Sequence, residues 1–93
     1  MLYVIHCFDR ENHLEVRQKI RSAHVAYLQQ FGASIKAAGP TLDADGAMNG
    51  SVIVLECNDM SAAQGFAAND PYAQADLFRK VLIQAWNKVL PQG

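Results

Sequence analysis

Charged residues are scarce in this chain of 93 residues. Asp, Glu, Lys and Arg make up 18% of it, against roughly 25% in typical globular domains. The 8 basic and 9 acidic residues nearly cancel, which leaves a net charge of −1 and predicts no basic patch for nucleic acid. Hydrophobic residues make up 51%, which excludes a disordered tail. We expect one domain over residues 1–93, with part of its apolar surface covered by a second copy.

Cysteine is rare, and long apolar runs are lacking. Cys7 and Cys57 stand far apart without a CxxC motif, which excludes a zinc ribbon or a disulfide scaffold. We expect both thiols to be free and near opposite ends of the sheet. No run approaches the roughly 20 apolar residues of a membrane span, and residues 1–8 lack the basic leader of a signal peptide. We therefore expect a cytoplasmic protein that does not bind a membrane.

Six segments follow the periodicity of strands or helices. They are a strand Leu2–Phe8, a helix from about Asn12 to Phe31, strands Ser34–Leu42 and Ser51–Cys57, a helix opening at Ser61, and a strand Leu77–Val89. The first strand is apolar on both faces, which is typical of a central strand. Pro40 cannot donate to a ladder, so the second strand is predicted at an edge.

The helix starts have two candidate capping patterns. Asp9 or Asn12 is expected to cap the first helix, and Ser61 with Gln64 fits a capping box that opens the second. The first helix has one apolar stripe, which includes Tyr27 and is predicted to face the sheet.

The order β-α-β-β-α-β predicts an α+β fold, the ferredoxin-like plait. This fold is a four-stranded antiparallel sheet with both helices on one face. Because three of the strands are apolar on both sides, the helix-free sheet face is expected to pack against a second copy in a symmetric homodimer. The alternative is a monomer with an exposed apolar face.

His24 and Asp70 are the first candidates for chemistry. His24 lies in the apolar stripe, where it is either a core-edge histidine bonded to a backbone carbonyl or a general acid/base in a cleft. Asp70 precedes Pro71, a pattern that caps a short helix. Its second oxygen could orient the imidazole, as the acid of a triad does. Because the plait sets both helices side by side, we predict that the two side chains meet within hydrogen-bond distance.

Arg17, Arg21 and Ser51 are candidates for ligand binding. The arginines flank the stripe, where they are either solvated stems or a pair that holds a carboxylate near His24. Ser51 follows Gly50, which fits a turn exit or a pocket residue. No set of side chains has metal-ligand spacing and no cofactor motif occurs, so we expect neither a metal nor a cofactor.

Five motifs occur together in one order along the chain. They are Met-Leu-Tyr-Val-Ile at the start, Arg17-x3-Arg21-x2-His24-x3-Leu28, Ala38-Gly39-Pro40, Gly50-Ser51 and Asn69-Asp70-Pro71-Tyr72. In these motifs the chain resembles the YciI-like (YCII-related) family over nearly its whole length. The resemblance implies a ferredoxin-like fold of the dimeric α+β barrel type, related to muconolactone isomerase.

The resemblance also implies a function. Family members are regarded as small enzymes with a His–Asp pair in a pocket, and the best-understood ones break down aromatic compounds, a dehydrochlorinase among them. It implies that His24 and Asp70 are catalytic and that Arg17, Arg21 and Ser51 bind substrate. The first hypothesis is a cofactor-independent isomerase or lyase that transfers a proton on a small polar, aromatic-derived acid. The alternative is a dimeric small-molecule-binding or accessory domain without turnover, in which Asp70→Asn is tolerated.

Overall fold

The structure, a computed structural model that describes residues 1–92, contains four strands, three α-helices and one short 3-10 helix, Gly32–Ser34, within that range. The elements are β1 (Leu2–Asp9), α1 (Leu14–Gln29), β2 (Ile35–Leu42), β3 (Met48–Glu56), α2 (Met60–Ala68), α3 (Pro71–Gln74) and β4 (Phe78–Trp86). No helix within residues 1–92 combines the length and the apolar character needed to cross a membrane.

The four strands form one antiparallel sheet in the order β2-β3-β1-β4. This topology confirms the predicted ferredoxin-like α+β fold, with β1 in the centre and β2 at an edge. Pro40 lies in that edge strand, where its missing N–H costs no ladder bond. Both cysteines are free and lie at opposite ends of the β1–β3 ladder, since Cys7 pairs with Ser51 and Cys57 follows Glu56, the partner of Leu2.

The core lies between the helices and one face of the sheet. Alternate side chains of β1 and β3, among them Ile5 and Ile53, are buried there against Phe66 of α2. Tyr27 and Leu28 of α1 pack against the same cluster, which places the apolar stripe of α1 on the sheet as predicted. This packing turns one face of α1 toward the sheet. Two polar residues of α1, Arg17 and His24, are buried.

Strand lengths differ from the predictions because a strand extends only as far as its partner. β3 begins at Met48, before the predicted start, because Met48 pairs with Leu42 of β2. β4 ends at Trp86 rather than Val89, because Trp86 pairs with Leu2, the first residue of β1. The sequence beyond Trp86 therefore has no β1 residue to pair with.

The caps predicted for α1 and α2 are both wrong. His13 occupies the N-cap position of α1 and makes no side-chain capping bond. Asn12 adopts a positive φ of 59° in the preceding turn, and the carboxylate of Asp9 is bonded elsewhere, as described below. At α2 the cap is Asp59, whose side chain accepts a hydrogen bond from the backbone N–H of Ala62 at 2.8 Å. An earlier acceptor therefore starts α2 two residues sooner than the capping box predicted.

Candidate active site

A cavity of about 160 Å³ lies between α1, α3 and the β2–β3 edge of the sheet. Its polar lining consists of Arg17, Arg21, His24, Ser51 and Tyr72. A dry cavity of roughly 150 Å³ holds one benzene ring, so this volume fits one single-ring molecule. Four of the five predicted site residues therefore share one cavity wall, and Asp70 contacts His24 there.

His24 and Asp70 form the predicted contact. Nδ1 of His24 lies 2.8 Å from Oδ1 and 3.0 Å from Oδ2 of Asp70, and both residues are buried. Oδ1 also accepts the backbone N–H of Tyr72 at 2.9 Å, so Asp70 caps α3 as predicted. An ionised carboxylate only accepts hydrogen bonds, so beside an ionised Asp70 a neutral imidazole has its proton on Nδ1 and a lone pair on Nε2.

The Nε2 atom of His24 has no hydrogen-bond partner among residues 1–92. No buried side-chain nitrogen or oxygen of those residues lacks a partner, so Nε2 must be accessible to solvent. Because His24 lines the cavity, we infer that solvent and ligand reach Nε2 from there. The arrangement presents a lone pair to the cavity while a buried carboxylate holds the opposite nitrogen, which is the geometry of a general base.

Tyr72 holds the imidazole from its side. The rings of His24 and Tyr72 stack with centroids 4.0 Å apart and an interplanar angle of 17°. Cζ of Arg17 lies 4.6 Å from the centroid of the same tyrosine ring. Burial raises the pKa of Tyr72, although the charge of Arg17 opposes the change. In the sequence Tyr72 was recognised only as part of a motif. Its position two residues after the capping Asp70 is the signal that could have placed it beside His24.

Arg17 is buried, which corrects its interpretation as a solvated stem at the stripe edge. Its Nε donates to Oδ2 of Asp9 at 2.7 Å, and its Nη2 donates to Oδ1 of Asp9 at 2.8 Å and to Ser51 Oγ at 3.0 Å. Burial lowers the pKa of Arg17, but the hydrogen bond and charge of Asp9 outweigh that effect and raise it overall. Asp9 is a site residue that the sequence reasoning considered only as a cap.

Arg21 is exposed at the rim of the cavity and forms no salt bridge among residues 1–92. Its positive charge is therefore uncompensated by an ion pair, whereas that of Arg17 is neutralised by Asp9. Of the two arginines, Arg21 is the one placed to attract an anionic ligand.

Cys7 lies beside Ser51 in the β1–β3 pairing but is not placed as a nucleophile. It is buried, and this burial raises the pKa of its thiol to about 12. The thiolate, which is the reactive form, is therefore strongly disfavoured at neutral pH. No three His, Cys, Asp or Glu side chains within residues 1–92 come together as a metal site.

A larger groove of about 750 Å³ lies at the Asp9 end of β1, around Phe8, Met48 and Arg79. It reaches Asp9 but not the His24–Asp70 pair. The smaller cavity is the candidate active site because it alone is lined by His24, the histidine that is held by a buried carboxylate.

Comparison with known proteins identifies the family. The YCII-related domain matches residues 1–87. This chain belongs to the YCII-related domain family. It is 34% identical over 97 residues to Protein YciI of Escherichia coli, covering 96% of this chain and 99% of that protein. An uncharacterized protein of Haemophilus influenzae is 33% identical over 97 residues, with the same two coverages.

Solved structures of other proteins share the fold. The 5-chloro-2-hydroxyhydroquinone dehydrochlorinase of Burkholderia phenoliruptrix, in complex with 2,5-dihydroxybenzoquinone, matches with a TM-score of 0.89 and 36% identity over 94% of each chain. SnoaB, a cofactor-independent oxygenase of Streptomyces nogalater, matches with a TM-score of 0.61 and 10% identity over 98% of this chain and 97% of its own. At that identity the second match shows only the shared fold.

Proposed function

We propose that this protein is a cofactor-independent isomerase or lyase that transfers a proton on a small, polar, single-ring compound. The observation that carries the proposal is the imidazole of His24, whose Nδ1 is held by buried Asp70 while its Nε2 opens to a cavity of single-ring size. The likeness to a dehydrochlorinase bound to 2,5-dihydroxybenzoquinone supports a hydroxylated ring as the substrate class.

His24 is the proton-transfer residue in this proposal. Nε2 accepts a proton from the substrate, and the carboxylate of Asp70 stabilises the imidazolium that forms. In an isomerisation the proton returns at another atom of the ring system. In the elimination of a hydrogen halide, the halide leaves with the electron pair of its bond to carbon, a new double bond forms, and the proton passes from Nε2 to water. Neither route changes the overall oxidation state.

Arg21 and Ser51 provide the substrate contacts, and Arg17 supports them. Arg21 attracts an acidic oxygen at the rim, where its charge has no ion-pair partner. Arg17 and Ser51 line the inner wall, with Arg17 acting through Ser51 and Tyr72 because Asp9 already neutralises its charge.

We also propose that the protein is a homodimer formed through the helix-free sheet face. The face is defined by the β1 residues that alternate with the buried ones and by their ladder partners on β3 and β4. Most of these residues are apolar or aromatic: Leu2, Val4, His6, Phe8, Val52, Val54, Leu82 and Trp86. The remaining partners are Gly50, Glu56, Lys80 and Gln84. Leu82 and Trp86 are 44% and 42% exposed, and exposed apolar side chains on one face support association with a second copy. Two free cysteines fit the cytoplasm as its location.

The test is turnover of a panel of single-ring hydroxylated and chlorinated compounds. Turnover is measured as chloride release and as deuterium incorporation from solvent. We expect activity on at least one compound, and a loss of at least about a hundredfold in His24→Gln and in Asp70→Asn. His13→Gln and Asp76→Asn, which change the same residue types outside the cavity, are the matched controls. Full activity in Asp70→Asn would contradict the proposal, and ligand binding without any turnover would favour the accessory domain.

A further inference from the structure

Ser51 accepts a hydrogen bond from a group that can only donate. A guanidinium has no acceptor, so in the 3.0 Å contact between Arg17 Nη2 and Ser51 Oγ the serine oxygen must be the acceptor. The hydroxyl hydrogen of Ser51 can therefore be donated to a different acceptor. The position of Ser51 on β3, a central strand, fixes the side chain at one point of the wall.

The hydroxyl hydrogen of Ser51 has no acceptor among residues 1–92, where Arg17 is the one side-chain partner of Ser51. Ser51 is 3% exposed and lines the candidate active-site cavity. The Ser51 oxygen already accepts a hydrogen bond from Arg17. Its hydroxyl can therefore donate a hydrogen bond to an oxygen of a ligand bound in the cavity. It is also not bonded to His24, so no base is positioned to make it a nucleophile.

We propose that Ser51 donates a hydrogen bond to an anionic oxygen of the bound ring, and that the Asp9–Arg17 pair holds it in that orientation. The inference rests on the proposed function, since negative charge builds up on a ring oxygen when His24 removes a proton. A donor fixed in advance at that oxygen stabilises the charge without reorganisation. Asp9 anchors Arg17 with two hydrogen bonds, which makes Asp9 and Arg17 positioning residues and Ser51 the group that touches the ligand.

A purely structural role for Ser51 makes a different prediction. If Ser51 served only as an acceptor for buried Arg17, its removal would lower the stability of the fold and affect all ligands equally. If it donates to an anionic oxygen, its removal weakens the binding of phenolates and leaves neutral rings unaffected. The charge of the ligand therefore separates the two roles.

The experiment uses 4-nitrophenol, a single-ring phenol whose phenolate absorbs visible light, and nitrobenzene as the neutral ring of similar shape. Binding of both is measured to the wild type, to Ser51→Ala and to Ser22→Ala, a matched control on the exposed side of α1. We expect Ser51→Ala to weaken 4-nitrophenolate binding by about tenfold or more and to raise the pKa of bound 4-nitrophenol by about one unit or more. Nitrobenzene binding is expected to stay unchanged.

A double-mutant cycle tests the role of the ion pair. Asp9→Asn combined with Arg17→Gln removes both charges without leaving either one buried alone. In that background we expect Ser51→Ala to weaken 4-nitrophenolate binding by less than half of its effect in the wild type. An equal effect in both backgrounds would overturn the positioning role.

Equal weakening of 4-nitrophenolate and nitrobenzene binding, or no weakening of either, would overturn the donor role of Ser51. Ser51→Cys, which keeps the side-chain shape with a weaker donor, replaces the alanine variant if that variant does not fold, with the same expected direction. Because the binding assay needs no turnover, its outcome is separate from the His24 and Asp70 kinetics. The His24 and Asp70 variants can keep full activity, against the proposed function, while Ser51 still distinguishes a phenolate from a neutral ring in the binding assay.

Discussion

Nδ1 of His24 lies 2.8 Å from Oδ1 of Asp70, although the two residues are 46 positions apart in the chain. One oxygen of Asp70 bonds both the imidazole and the backbone N–H of Tyr72. The same carboxylate therefore starts α3 and holds the histidine of α1. Tyr72, the second residue of that helix, stacks on the histidine ring, so the start of α3 fixes the imidazole both at Nδ1 and over its face.

Loss of one partner from the buried Asp9–Arg17 ion pair is expected to destabilise the fold strongly. The side chains of Asp9 and Arg17 are 6% and 2% exposed. Asp9→Ala leaves the guanidinium charge buried without its partner, and we expect it to lower the free energy of unfolding by about 3–5 kcal/mol. Urea denaturation measures the change. The control is Arg10→Ala, which breaks the exposed pair with Asp76 and should cost at most about 1 kcal/mol.

Stability is expected to fall in alkaline solution because of Cys7. Burial raises the pKa of its thiol from 9.0 to about 12, so between these values the unfolded chain releases a proton that the folded chain keeps. The unfolded state then binds fewer protons, and the free energy of unfolding decreases as pH rises, by up to about 1.4 kcal/mol per pH unit. Burial of Tyr27 and Tyr72 raises their pKa values and acts in the same direction above pH 10.

Urea denaturation at several pH values from 8 to about 11 measures this slope. Cys7→Ala is expected to reduce the slope, whereas Cys57→Ala, which retains Cys7, is expected to preserve it. A free energy of unfolding that stays level across this range in the wild type would contradict the assignment.

The proposed dimer predicts a particle of about twice the 10.2 kDa chain mass. Leu82→Glu places a charge on the helix-free sheet face, where burial against a second copy would be costly, and is expected to shift the protein to monomer. Met60→Glu, at a comparably exposed apolar residue of α2, is the control and should remain dimeric. Light scattering that finds only the 10.2 kDa species of the wild type at micromolar concentration would refute the dimer.

Arg21 is expected to contribute to ligand affinity without contributing to the fold. It is exposed at the cavity rim and has no salt bridge among residues 1–92. Arg21→Gln should weaken binding of an anionic single-ring ligand such as 4-nitrophenolate by about tenfold or less. The unfolding midpoint should stay unchanged. Lys19→Gln, an exposed cation of the same helix, is the matched control. Equal affinity of Arg21→Gln and wild type would remove Arg21 from the site.

Much of the fold could be predicted from local patterns, and the His24–Asp70 contact from the element order together with the family resemblance. The apolar character of β1 on both faces indicated a central strand. The Asp70–Pro71 step indicated a helix start, and the element order set that start beside α1. Each of these features depends on neighbouring residues or on a topology with few alternatives.

The role of Arg17 could not be predicted because it depends on a distant partner. The helical wheel placed Arg17 at the edge of the apolar stripe, where an exposed charge is the ordinary outcome. Its burial requires Asp9, at the end of β1, and Ser51, on a strand 34 positions away, to satisfy its donors. The same pairing explains the missing cap of α1, because it engages the carboxylate that was expected to bond the helix N-terminus.

The most direct test of the account is the tautomer of His24, measured by ¹⁵N NMR on the wild type at a pH where the imidazole is neutral. The account predicts that Nδ1 is protonated and Nε2 is not, and that 2,5-dihydroxybenzoquinone perturbs the Nε2 resonance. Asp70→Asn is expected to lose the preference for this tautomer, while Asp76→Asn keeps it. A wild-type imidazole protonated at Nε2 would contradict the proposed general base. So would imidazole resonances that change neither in Asp70→Asn nor on addition of the ligand.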